Sequence, residues 1–169
     1  MTIGASGSQN AIMDIFCTFG FLLLGLAVGS FLNVCIDRLP RDESILNPPS
    51  HCQACQRRLA ARDLIPVLSY LWLGGRCRYC QAVIPRRLLW VELATGGMFA
   101  FLYWHCGVSP ELAVMAFYAC IYIIIFVVDL EHGLVLNKVV YAGMAVALLI
   151  ALLLPQPWIT QLKFHGIAN

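Results

Sequence analysis

The sequence predicts an all-α polytopic membrane protein: about four transmembrane helices, with one long hydrophilic loop between the first and the second. Three observations predict it. Hydrophobic residues make up 60% of the 169 positions and charged residues only 12%, whereas a soluble domain averages about 45–50% apolar and about 25% charged. The mean hydropathy is +0.79, and the apolar residues gather in runs of the length needed to cross ~30 Å of hydrocarbon. Nine of the 11 Lys and Arg lie between Arg38 and Arg87, leaving Lys138 and Lys163 elsewhere.

That charge asymmetry assigns a side. The loops that hold the Lys and Arg of a membrane protein are the cytoplasmic ones, so the basic loop lies inside and the N-terminus outside. The second span then leads out and the third returns. A basic stretch is also the footprint of nucleic-acid binding, but membrane orientation accounts for it and no nucleic acid is expected as a partner. Met1–Asn10 contains no Lys or Arg and so lacks the basic region of a removable signal peptide; the apolar stretch that follows reads as a span.

Residues 1–36 hold the N-terminal segment and the first span, Ile15 to Val34. Gly25 and Gly29 form a Gly-x-x-x-Gly, which lets a neighbouring helix approach closely. Pro40, Pro48 and Pro49 end the helix and open the loop. Residues 37–87 are that loop. Its inner segment, Asp63 to Gly75, is apolar but too short and interrupted to span; it reads as an amphipathic stretch packed on the rest of the loop or on the membrane surface. Residues 88–154 hold three further spans: Leu88 to Cys106, Leu112 to Val128 and Val139 to Leu154. The Gly107–Glu111 connection is short, so the spans it joins are antiparallel neighbours. Residues 155–169 form a mixed tail.

The loop carries Cys52-Gln-Ala-Cys55 and Cys77-Arg-Tyr-Cys80, with 21 residues between the pairs. Two Cys-x-x-Cys pairs at this separation have a zinc-ribbon spacing, because a two-residue gap lets both sulfurs of a pair reach one tetrahedral ion. In a reducing cytoplasm, metal is favoured over disulfides. Four thiolates leave no open coordination position, so the expected Zn2+ is structural, and Arg57, Arg58, Arg76 and Arg78 offset its surplus negative charge. Cys17, Cys35, Cys106 and Cys120 belong to the spans or their ends and read as small apolar packing residues.

Asp129 follows eight apolar residues, Ile121 to Val128. It reads either as a helix-end residue at the interface, with Glu131 and His132 as solvated neighbours, or as a proton-handling acid in a partly dry site. Topology puts it on the cytoplasmic side with the cysteines. Glu92, a turn into the second span, reads as an ion-pair partner of Arg86 or Arg87. Asn33 and Asn137 read as hydrogen-bonding residues between helices.

With these motifs in hand, the chain resembles the amino-terminal part of a prepilin peptidase, or type IV prepilin leader peptidase. The likeness runs from Gly29-Ser-Phe-Leu-Asn-Val-Cys-Ile-Asp-Arg-Leu-Pro40 through Ser50-His-Cys52, Asp63-Leu-Ile-Pro66, Leu68-Ser-Tyr70, Gly75-Arg-Cys77 and Ile84–Arg87 with Glu92, to Asp129-Leu-Glu-His132 and Asn137. The resemblance implies an intramembrane-type aspartic endopeptidase of the bacterial inner membrane. Such an enzyme cleaves the leader of type IV prepilins or pseudopilins of type II secretion, and many members also N-methylate the new terminus with S-adenosylmethionine. It implies Asp129 as one of two catalytic aspartates and Cys52, Cys55, Cys77 and Cys80 as zinc ligands.

Two departures are visible. Leu136 stands where the family often has proline. The family's second aspartate lies in a Gly-x-Gly-Asp segment beyond the fourth span, while the aspartates here are Asp14, Asp37, Asp42, Asp63 and Asp129. The chain is therefore read as a truncated, split or decayed member that stops before further spans. The alternative is a catalytically incomplete, membrane-anchored zinc module that binds a prepilin or an assembly partner. A channel or transporter subunit is disfavoured, since the third and fourth spans are nearly bare of polar residues.

Overall fold

A computed structural model describes residues 5–47, 49–133 and 137–153. The turn at Leu136 and the tail 155–169 lie outside the described residues. Two compact units divide the chain, Met1–Val135 and Leu136–Asn169.

The first unit holds four helices: α1 (Ala5–Arg38), α2 (Leu68–Trp72), α3 (Arg86–Cys106) and α4 (Pro110–His132). The end of α1 and both ends of α4 have local causes. α1 runs into a 3-10 turn at Leu39–Arg41 carrying Pro40, and Asp42 closes it in the left-handed region at φ 56°. α4 begins at Pro110, behind Ser109, whose Oγ accepts the Leu112 N–H at 3.2 Å. It ends at Gly133, left-handed at φ 59°, whose N–H bonds Asp129 O at 2.8 Å. α1 and α4 overrun the expected spans by a turn or more, because polar first and last turns satisfy helical geometry as well as apolar ones do, while α3 matches its span to within two residues.

α1 packs along α3, and both lean on α4. Leu32 and Ile36 of α1, Val91, Thr95, Phe99 and Leu102 of α3, and Ile124 and Val128 of α4 are buried between them. The expected close approach at Gly25 and Gly29 is made against α3. A Cβ on Gly25 would lie 2.7 Å from Thr95 O, and one on Gly29 would lie 2.8 Å from Glu92 Cα. Asn33 Nδ2 donates across the same seam to Leu88 O at 3.0 Å.

Two stretches, Ile12–Arg41 and Pro110–Glu131, are long and apolar enough to cross a membrane, and only 17% of each apolar window is buried inside the structure. The core helix of a soluble protein would be covered by protein. Here Phe16, Phe19, Leu23, Phe31, Phe117, Tyr122 and Phe126 face outward, as the lipid-facing side chains of membrane helices do. The protein is a mostly helical membrane protein; among the described residues the only β pairing is two isolated bridges. The second unit, described by itself, holds the 17-residue helix α5 (Asn137–Leu153).

Candidate metal centre at the helix ends

Each cysteine pair sits in a tight, repeated turn. In the first, the Cys52 N–H bonds Arg57 O at 3.0 Å, the Gln56 N–H bonds Cys52 O at 2.8 Å, and an antiparallel bridge joins His51 to Arg58. In the second, the Cys77 N–H bonds Ala82 O at 2.8 Å, the Gln81 N–H bonds Cys77 O at 3.0 Å, and a bridge joins Arg76 to Val83. Gln56 and Gln81 hold the left-handed position at φ 56° and 59°. The repeated Cys-Gln behind each pair was a signal present in the sequence and not used.

These turns bring all four sulfurs together. The ligand atoms of Cys52, Cys55, Cys77 and Cys80 lie within 4.8 Å of one another, and Cys52 Sγ and Cys80 Sγ are 3.8 Å apart. A tetrathiolate tetrahedron with metal–sulfur bonds of about 2.3 Å has edges of about 3.8 Å, so the four cysteines can hold one metal ion. The electrostatics are graded. The backbone N–H groups of Cys80 and Tyr79 draw the Cys77 thiol down to about 7. The Ala82 N–H also lowers Cys80, but desolvation and the thiols of Cys55, Cys77 and Cys52 outweigh it and push Cys80 up to about 12. Four thiols share protons until a cation replaces them.

Side chains between the turns lock the pair. Arg78 Nε donates to Asp63 Oδ1 at 2.7 Å, and the Arg57 guanidinium lies 4.6 Å over the Tyr79 ring. Of the four arginines expected to balance the sulfurs, two thus have their own partners.

The other end of this region is tied to the helices. Arg87, in the first turn of α3, donates to Asp37 Oδ1 at 2.5 Å and to Glu131 Oε2 at 2.8 Å. One guanidinium therefore joins the end of α1 to the end of α4. A cavity of about 620 Å³ lies there, lined by Cys52, Cys77, Tyr70, Asp37, Arg87, Glu92 and Glu131 among others.

Glu92 corrects an expectation. It forms no ion pair with Arg86 or Arg87; Oε2 accepts the Val67 N–H at 2.7 Å. Arg87 is occupied by carboxylates that only the folded chain brings near. Glu131 is an ion-pair partner rather than a solvated neighbour.

Asp129 is exposed and lies apart from the cysteine cavity. Its position lines a second groove, about 710 Å³, with Met98 of α3 and Met115, Tyr118, Tyr122 and Phe126 of α4. Glu131 stands two positions further along the helix, about 200° around it, which turns the two carboxylates to different faces of α4.

Residues 23–106 match the bacterial peptidase A24 N-terminal domain. Through them the chain belongs to the bacterial peptidase A24 N-terminal domain family. The family segment starts within α1, includes both cysteine turns, and stops where α3 stops. Curated relatives agree. A prepilin leader peptidase/N-methyltransferase of Myxococcus xanthus is 38% identical over 137 residues, which cover 81% of this chain and 41% of that protein. A type 4 prepilin-like proteins leader peptide-processing enzyme of Escherichia coli O78:H11 is 41% identical, over 72% of this chain and 51% of the relative. A prepilin leader peptidase/N-methyltransferase of Bacillus subtilis is 34% identical, over 69% and 47%. The chain spans about half the length of the curated relatives it matches. No solved structure matches it.

Proposed function

We propose that this chain supplies the amino-terminal half of a prepilin leader peptidase. It is a four-span protein of the bacterial inner membrane, with the cysteine loop and Asp129 facing the cytoplasm. A structural Zn2+ on Cys52, Cys55, Cys77 and Cys80 holds the loop at the helix ends. Asp129 and a second carboxyl outside this chain share a proton. One serves as base for the attacking water and the other as acid toward the scissile carbonyl. The groove that Asp129 lines is apolar enough to take an apolar stretch of the substrate. S-adenosylmethionine is the methyl donor proposed from the relatives' names.

The observation that carries this reading is the Arg87 bridge. It ties the loop-proximal end of α3 to Glu131, two residues past Asp129, which brings the end of α4 bearing the acid to the end of the bundle that holds the cysteines. A second reading, a module that binds prepilin or an assembly partner without cutting, is favoured by the state of the other aspartates. Asp37 is paired with Arg87 and Asp63 with Arg78, so neither offers Asp129 a proton-sharing partner.

Incubating the purified chain with a prepilin in detergent, alone and with the carboxy-terminal part of a relative, separates the readings. Cleavage is expected with the complement. Asp129→Asn should abolish it while metal content stays unchanged. Capture of uncut prepilin under every condition supports the second reading. Normal cleavage by the Asn variant refutes the first.

A further inference from the structure

Leu68, Leu71 and Trp72 stand at i, i+3 and i+4 of α2 and share one face. They are 62%, 62% and 89% exposed, and Leu64 and Ile65 just before them are exposed as well. The other face is docked: Ser69 and Tyr70 line the cysteine cavity, and Tyr70 Oη donates to Ile84 O at 3.4 Å.

The depth at which this helix starts is set by one hydrogen bond. The Val67 N–H is held by Glu92, five residues beyond Arg87, which at about 1.5 Å per residue is roughly 8 Å further along α3. Arg87, Asp37 and Glu131 form the charged ring at the bundle end. A glutamate side chain leans back toward its helix N-terminus, and even at full stretch its reach plus the 2.7 Å hydrogen bond only about equals that distance. Val67 therefore lies no further out than the ring. At the same level of α3, Trp90 and Leu93 point outward, 66% and 41% exposed. The start of α2 thus lies beside the part of α3 that carries outward-facing apolar residues, and its far side, through Tyr70, reaches Ile84.

We propose that α2 is an interfacial helix whose Leu68, Leu71 and Trp72 insert at the headgroup–acyl boundary of an anionic bilayer, with the exposed Arg62 at the lipid phosphates. A tryptophan beside arginines at the rim of a helix bundle is the side-chain set that this boundary selects. The occupant is lipid rather than a partner protein, because the Glu92 bond starts the face no further out than the charged ring, beside the outward-facing Trp90 and Leu93, and arginine accompanies its tryptophan. This role is independent of what Asp129 does.

The test uses the full chain in vesicles of phosphatidylcholine and phosphatidylglycerol, with Trp90, Trp104 and Trp158 replaced by phenylalanine. Bromines on the upper acyl chain should extinguish Trp72 emission, and aqueous iodide should leave it. Should the triple variant not be recovered, Trp72→Phe in the native chain gives the same signal by difference. Quenching by iodide and not by bromolipid overturns the proposal, because α2 then faces water. Quenching by neither also overturns it, because the face is then covered by protein.

Discussion

Arg78 Nε sits 2.7 Å from Asp63 Oδ1, with the Asp63 side chain 2% exposed, and this pair fastens the second cysteine turn to the chain that links it to the first. The Arg78 hydrogen bond is the main cause that holds the Asp63 carboxyl below its usual range; burial opposes it, and the Ala60 N–H assists. A carboxyl lowered by folding contributes stability above its unfolded value near about 3.9, and that contribution is lost as pH falls through the folded value. Asp63→Asn should cost about 1 kcal/mol at neutral pH, as for a partly exposed ion pair. The gap between parent and variant should close in strong acid. Rates of proteolysis within residues 50–85, followed from neutral to acid pH, check this. Thiolate protonation affects both proteins alike and leaves their difference readable. A gap that widens in acid contradicts the assignment.

The cysteine cluster makes a separate claim. Because the fold already gathers the four sulfurs within 4.8 Å of one another, binding energy for the ion is also folding energy for the loop. Cys77→Ser should reduce bound metal from one equivalent per chain to near none and expose residues 50–85 to protease, while α1 and α3 stay packed. Elemental analysis and limited proteolysis read the two effects. Unchanged stoichiometry would remove these cysteines as ligands.

What the sequence disclosed and what it hid divide along contact range. The helices were legible as apolar runs, the cysteine turns as fixed spacings, and Gly25 and Gly29 as a close-approach motif, because each signal lies within a few neighbouring residues. The partners of the charged groups were not. Arg87 meets Asp37 and Glu131, 50 and 44 positions away, whereas the carboxyl nearest to it in α3, Glu92, is not its partner. Glu92 instead meets a backbone N–H 25 positions away, in a turn whose conformation no propensity favours. Two sequence-adjacent features also parted: Glu131 faces the cysteine cavity while Asp129 lines another groove.

Glycine positions in α1 give a graded prediction. A Cβ on Gly25 would meet Thr95 O at 2.7 Å and Gly96 Cα at 2.8 Å, both backbone atoms that cannot swing aside, whereas one on Gly20 meets nothing within 4 Å. Gly25→Ala should destabilise the α1–α3 seam by roughly 1–3 kcal/mol, as overpacking does. Gly20→Ala should be neutral or stabilising by up to about 1 kcal/mol through helix propensity. Unfolding in mixed detergent with rising sodium dodecyl sulfate compares them. Equal midpoints would mean that the seam is looser than the structure has it.

Val67 offers the sharpest test of the contact that fixes α2. Its backbone has φ 59° and ψ −50°, and the Leu68 N–H reaches Pro66 O at 2.5 Å. This is the strained, positive-φ γ-turn, and a β-branched residue fits it badly. Such a residue costs on the order of 1–3 kcal/mol and persists only where its surroundings impose it. The imposing group is Glu92, whose buried carboxylate takes the Val67 N–H. Val67→Gly should therefore stabilise the loop, since glycine adopts the turn without strain and keeps the N–H. Glu92→Gln retains an oxygen acceptor and should change little. Glu92→Leu removes the acceptor and should cost about 1–3 kcal/mol for the abandoned donor. In the Glu92→Leu background the Val67→Gly gain should shrink, because nothing then holds the chain in the strained turn. Amide exchange across residues 65–75 reads all four proteins. A Val67→Gly gain of the same size in both backgrounds would show that Glu92 does not set this turn.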